Sequence, residues 1–168
     1  MNKFLNKLAY ILTDMANKIK QRAMEHKLTQ YPNIHESVKM GSNVQLIGPF
    51  ISFEIGKMTY VNEAIISTGS NSKVSIGSNC AIGYRVSIKA ITHELTSPCP
   101  NDDGEVCMTE ANIQIGNHCW IGDNVFIREG VTLGHHVTVG ANSVVTKSFP
   151  NNVIIAGVPA KIISGIDD

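Results

Sequence analysis

Charge and aromatic residues are scarce in this chain of 168 residues. Only 17% are charged and 6% aromatic, and the 14 Lys and Arg are balanced by 14 Asp and Glu. A net charge of zero gives no basic stripe, which argues against a nucleic-acid binder. No apolar run approaches the ~20 residues that span a bilayer. The N-terminus, MNKFLNKLAYILTDMANKIKQ, does not read as a signal peptide: Asp14 and several Lys interrupt it, and no small-residue cleavage site follows an apolar core. These features point to a cytoplasmic protein. Four Cys are too few for a disulfide scaffold at this length. Cys80 and Cys119 read as core thiols, and Cys99 and Cys107 as free thiols of an irregular stretch rather than a bridge or a metal pair. Hydrophobic content of 43% excludes a disordered chain, and the length suits one domain.

What is abundant is a period of six. Between Ile115 and Lys147 an aliphatic residue returns at every sixth position: Ile115, Ile121, Ile127, Leu133, Val139 and Val145. Gly follows it at 116, 122, 134 and 140, and Cys119, Val125, Val131, Val137 and Ser143 sit four after each aliphatic. Neither a helix nor an ordinary strand has this period. It predicts a solenoid of hexapeptides, with the aliphatic and the small residue inward. The Gly, and Asn117, Asp123, Gly130, His135 and Asn142 near the corners, suit turns. Residues 18 apart then stack on adjacent coils, His118 over His136, Trp120 over Thr138 and Phe126 over Val144. Trp120 and Phe126 face outward, where a flat apolar surface calls for a cover, most simply a second copy.

The rest of the chain extends or interrupts this column. Phe4, Leu5, Leu8, Ile11, Leu12, Met15 and Ile19 mark one face of an amphipathic helix over residues 2–27, made basic by Lys3, Lys7, Lys18, Lys20, Arg22 and Lys27. It reads either as a helix packed on the solenoid end or a neighbouring subunit, or as one lying on an anionic membrane surface. Beyond Tyr31-Pro32 a looser hexad pattern starts at Ile34, Met40 and Leu46, with Val38, Val44 and Phe50 as inward partners. From Ile55 the register slips, recovering at Ile76, Ile82 and Ile88. Ile88 and Ile115 are 27 residues apart, which is not a multiple of six. The segment Ala90 to Ala111 between them has two Pro, Asp102-Asp103 and Gly104, the chemistry of a long functional loop. The division is a helical region 1–30 and a repeat domain 31–165 with an extruded loop 90–111.

The hexad column, THEL at 92–95, WIGDNV at 120–125 and the ending NSVVTKSFPNNVIIAGVPAKII together resemble the hexapeptide-repeat O-acetyltransferases. The similarity covers roughly residues 34–163 and is strongest with the galactoside, maltose, nodulation-type and surface-polysaccharide branch. It implies a mainly β fold, the left-handed parallel β-helix, with three hexads to each triangular turn. It implies a homotrimer with active sites between subunits, acetyl-CoA as donor, no metal, and a sugar hydroxyl as acceptor. His93 would be the general base. Alone it reads as a surface loop His. In the resemblance it is the imidazole that removes the proton of an acceptor hydroxyl too weakly acidic to attack a thioester unaided. Acetyl transfer would be direct, with a backbone N–H near Gly122 or Asp123 facing the oxyanion.

By the same resemblance Trp120 lines the thioester end of the donor, besides filling an interface. Gly122 and Asp123 contact the donor at its thioester, Ala141 gives a backbone contact along the pantetheine groove, and Thr146, Lys147 and Lys161 meet the CoA phosphates. Asn62 and Glu94 fall to the acceptor. The chain also departs from that branch. Its N-terminus is basic where an acidic acceptor-binding residue is expected. Ser164 stands in place of a second Arg, Lys161 in place of an Arg, and Asp123 in place of a Ser. The other readings of the fold are an antibiotic or other xenobiotic acetyltransferase, a sugar N-acetyltransferase, a zinc carbonic anhydrase and a scaffold without activity. No H-x4-H pair supports the zinc enzyme. His93 with VTK and AGVPAK argues against the scaffold.

Overall fold

A computed structural model describes residues 3–93 and 107–165. Among these the chain forms one α-helix, α1 (Lys3–Leu28), followed by short strands. The strands fall into three parallel sheets visited in rotation. Ile113–Ile115 lies in the first, Trp120–Ile121 in the second and Phe126–Ile127 in the third, and Thr132–Leu133 returns to the first. Parallel neighbours need a crossover, and here the other two sides of the coil provide it. The stacking expected from the period is present. Trp120 pairs with Thr138 and Phe126 with Val144, and the His118 and His136 rings stack at 4.8 Å and 10°.

Both inward positions of each hexad are buried. Ile121, Ile127, Val137 and Val145 have no accessible surface, and Cys80 and Cys119 are core thiols that donate to the Gly116 and Gly134 carbonyls at 3.1 Å. Ser143 is an inward polar residue with its hydrogen bonds met: it donates to Gly140 O at 2.6 Å and accepts from Gly157 N at 3.1 Å.

The corners work differently from the sequence expectation. The left-handed corner residues of these coils are His118, Asn124, Gly130, His136 and Asn142, with φ of 58°, 57°, 80°, 56° and 60°, Gly130 and Asn142 as expected. For three hexads this is one position later than expected. Asn117, Asp123 and His135 instead accept a backbone N–H from the adjacent coil, at 2.8, 2.8 and 2.9 Å. The glycines after the aliphatics are needed for close approach. A Cβ on Gly116 would lie 2.5 Å from Gly134 O, and one on Gly122 would lie 2.7 Å from Ala141 N.

In the first third, Met40, Val38, Val44 and Leu46 are buried as expected, but Phe50 is 50% exposed. Pro49 leads into a 3-10 turn, Phe50–Ser52, which carries Phe50 outward against Tyr31 at 4.9 Å and brings Phe53 into the core instead. The slip after Ile55 is an insertion absorbed at a corner. Ile55 still pairs with Ile76 and Val61 with Ile82, each 21 residues on, and Ile66 stays fully buried.

The interruption opens and closes as an antiparallel ribbon, with Ile91–His93 paired to Met108–Glu110. Cys107, expected to be a free thiol, is disulfide-bonded. Cys99 lies outside the described residues. At the far end Val153–Gly157 continues the second sheet and folds back on Ala160–Gly165.

Helix α1 meets the coils through its last turns. Met24 is buried, Leu28 packs on the core, and Gln21 Nε2 donates to Met40 O at 3.1 Å. Among the described residues no helix is long and apolar enough to cross a membrane.

Candidate active site

The residues singled out in the sequence fall on the outside of the coil stack, at two of its edges. Trp120 faces outward from the second sheet and is 60% exposed. Gly122, Asp123 and Ala141 sit at the next corner, between the second and third sheets, with Gly122 and Ala141 in van der Waals register on adjacent coils. Asp123 Oδ1 accepts from Tyr84 N at 2.8 Å, so this carboxylate is engaged within the stack. The N–H of Gly122 donates to Val139 O at 2.9 Å, whereas the N–H of Asp123 has no partner among the described residues. Of the two oxyanion donors expected, only that of Asp123 is free to act.

Thr146 and Lys147 are exposed at the opposite edge of the third sheet, with Lys147 Nζ 5.6 Å from the Phe149 ring centroid. Two further cations share this edge and were missed in the sequence. Ile88 pairs with Ile127 and Ile127 with Val145, which aligns Lys89, Arg128 and Thr146 on successive coils. The signal was present, since each directly follows a hexad aliphatic. Arg128 Nε donates to Glu129 Oε1 at 2.9 Å, a hydrogen bond that raises the guanidinium pKa further. Glu129 itself is buried, so the pair holds the corner in place. Lys89 has no ion pair among the described residues.

His93 leaves the stack from this same edge, four residues after Lys89. It is exposed at the end of its strand, paired with Met108, and makes no side-chain hydrogen bond among the described residues. Lys161 is exposed on the closing hairpin beside Ala156. Asn62 is half-buried in a cavity of about 470 Å³, with Glu63 and Tyr84 from the coils and Asn17, Lys18 and Gln21 from α1. Glu94 lies outside the described residues.

A single chain therefore does not gather these groups. The third sheet separates the Gly122–Ala141 corner from His93, Arg128 and Lys147. A larger groove, about 690 Å³, runs along the first sheet past Ser75, Gln114 and Thr132, and holds none of the predicted residues. The outward side chains of the three sheets also differ. The first presents Glu54, Ser75, Gln114 and Thr132, while the second presents Tyr60 and Trp120 and the third Ile65, Phe126 and Val144. Two faces of the stack are thus partly apolar and one is polar. Among the described residues no group of three His, Cys, Asp or Glu side chains is placed to hold a metal ion.

Residues 112–147, the most regular coils, match the bacterial transferase hexapeptide (six repeats) family. The putative colanic acid biosynthesis acetyltransferase WcaF of Escherichia coli K12 is 31% identical over 130 residues, covering 74% of this chain and 68% of that protein. The chain belongs to the hexapeptide-repeat acetyltransferases. The galactoside O-acetyltransferase of Escherichia coli K12 is 37% identical over 117 residues, 70% of this chain. The match spans only 56% of that relative's length. A hexapeptide-repeat acetyltransferase of Vibrio cholerae, solved with acetyl coenzyme A, superposes with a TM-score of 0.69 at 25% identity, over 90% of this chain and 79% of that one.

Proposed function

We propose that this chain transfers acetyl from acetyl-CoA to a hydroxyl of a sugar, in a homotrimer of left-handed β-helices whose active sites lie between protomers. In this reading residues 31–165 form the catalytic domain, 1–30 an accessory helix, and 90–111 the loop that completes the site. The observation that carries it is the edge on which His93 emerges beside Lys89, Arg128, Thr146 and Lys147, separated from Trp120 and Asp123 by one sheet. Packing the two partly apolar faces against neighbouring copies would bring one protomer's His93 edge against the next protomer's Trp120 face. Closed homo-oligomers use such repeated contacts.

In that cleft the His93 imidazole takes the proton of the acceptor hydroxyl as its oxygen attacks the thioester carbonyl. The Asp123 N–H faces the carbonyl oxygen as charge develops. The C–S bond then breaks, and CoA leaves as a thiolate that recovers the proton. Lys147, Thr146 and Lys161 hold the phosphates of the donor. The cavity at Asn62 suits the acceptor, since its amide, carboxylate and phenol groups can match sugar hydroxyls. Colanic acid biosynthesis in WcaF and galactoside acetylation in the other relative support a saccharide, and a surface polysaccharide foremost. With acetyl-CoA as donor, the reaction belongs in the cytoplasm.

The test is release of free CoA from acetyl-CoA with a panel of mono-, oligo- and polysaccharides beside aminoglycoside and phenicol antibiotics. Turnover on a saccharide is expected. Turnover on antibiotics alone would transfer the assignment to xenobiotic inactivation. Within the same assay, Lys147→Ala should raise the acetyl-CoA KM about tenfold, the weight of one charge-assisted contact, with kcat retained. An unchanged KM removes Lys147 from the phosphate site.

A further inference from the structure

Helix α1 carries two faces with opposite surroundings. Gln21, Met24 and Leu28, at i, i+3 and i+7, turn toward the coils. Leu5, Leu8, Leu12, Met15 and Ile19, at alternating spacings of three and four, lie on the other side at 3.6 residues per turn. All five are exposed, from 42% at Leu8 to 66% at Ile19. The helix thus turns its more apolar side away from its own protein.

Charge follows the same division. α1 bears Lys3, Lys7, Lys18, Lys20, Arg22 and Lys27 against only Asp14 and Glu25, in a chain whose charges balance at 14 and 14. The helix is therefore net basic and the rest of the molecule net acidic. On the helical wheel Lys18 and Arg22 border the apolar arc on one side and Lys20 and Lys27 on the other. Asp14 and Glu25 lie toward the body, Asp14 paired to Lys18 at 2.7 Å. A seam between copies of α1 would set these cations against each other, and the alanines at 9, 16 and 23 offer no acidic partner across it. An apolar arc bordered by cations is instead what the interface of an anionic bilayer accepts, with the alkyl stems in the acyl boundary and the charged groups among phosphates.

We infer that α1 is a docking surface for an anionic membrane, and that it presents the Asn62 cavity to saccharides carried on lipid. The cavity is lined by Asn17, Lys18 and Gln21 on the body side of the helix. With the apolar face in the lipid interface, it opens within about one helix diameter, ~10 Å, of the headgroups. A saccharide anchored in that membrane reaches it without leaving the surface. The second half of this inference rests on the acetyltransferase reading, and the first half does not.

The experiment is sedimentation of the full chain with vesicles of phosphatidylcholine alone or with added phosphatidylglycerol, without acetyl-CoA or acceptor. Binding to the anionic vesicles only, weakened by salt, is expected. Leu8→Glu with Leu12→Glu should reduce the bound fraction at least about tenfold, and Lys20→Gln with Arg22→Gln and Lys27→Gln should weaken it similarly. Both variants should keep the oligomeric mass of the wild type and its turnover on a water-soluble saccharide, while losing turnover on a glycolipid in vesicles. Wild-type protein left in the supernatant with both vesicle types overturns the proposal. Loss of the oligomer in the Leu8→Glu, Leu12→Glu variant also overturns it, since a second copy would then cover the face. Vesicle binding without any acetyl transfer would leave the membrane surface standing and reject the enzymatic reading alone.

Discussion

Replacing His93 with Ala should lower kcat by about a hundred- to ten-thousand-fold, the range that one general base contributes. Acetyl-CoA affinity and oligomeric mass should be unchanged. The expectation follows from its position. His93 is exposed at the end of a short ribbon strand and contributes nothing to the core. Its loss costs no packing, so any fall in rate is chemical. Measuring kcat, KM and calorimetric CoA affinity on the same preparation separates the two effects. Near wild-type kcat in the variant would mean that another group takes the proton, and the interruption would lose its catalytic role. His118 and His136 would not be the substitutes. Their rings stack on each other at a corner where their left-handed backbone serves the turn.

Replacing Ile121 with Ala should lower stability by about 2–5 kcal/mol, the usual cost of truncating a fully buried aliphatic. Ile121 has no accessible surface and sits between Ile82 and Val139 on adjacent coils. The coils rest on one another through single columns, so a void in one layer is not closed by its neighbours. Against a typical total of about 5–15 kcal/mol the loss is large, equivalent to a fall of roughly 5–15 °C in Tm. Thermal unfolding followed by circular dichroism reads it directly. A fall below about 2 °C would mean that this column is not what holds the stack together. Trp120→Ala, one position earlier and exposed, should leave the melting of the isolated protomer nearly unchanged.

The repeat was legible because each inward position is set by covalent spacing: a residue six along the chain is one side along the coil. The core from Ile115 to Val145 followed from that alone, as did the stacking of His118 on His136. Legibility ended where geometry depends on what lies on the next coil. The glycines were read as turn residues, yet what requires them is the close approach of the coil beside them. Asp123 was read as a turn residue standing in place of a Ser, yet its carboxylate accepts from Tyr84 N on the adjacent coil. Phe50 kept the period but lost the core to Phe53, because Pro49 turns the chain outward. Lys89 and Arg128 share an edge with Thr146. The interrupting segment separates the first two by 39 residues and hides an alignment that the unbroken period would have shown.

The active site itself was half legible. The family motifs pick out His93, Trp120 and Lys147, but a single chain leaves Trp120 one sheet away from the edge that carries His93 and Lys147. That separation makes the central claim testable, because a site completed between protomers can be rebuilt from two damaged chains. His93→Ala and Trp120→Ala proteins, each poorly active alone, should be unfolded together, refolded as mixed oligomers and assayed for CoA release with a saccharide acceptor. Shared sites predict activity well above either parent, because a Trp120→Ala protomer supplies His93 to a neighbour that supplies Trp120. Activity no higher than the average of the two parents would contradict the account and place both residues within one protomer's site.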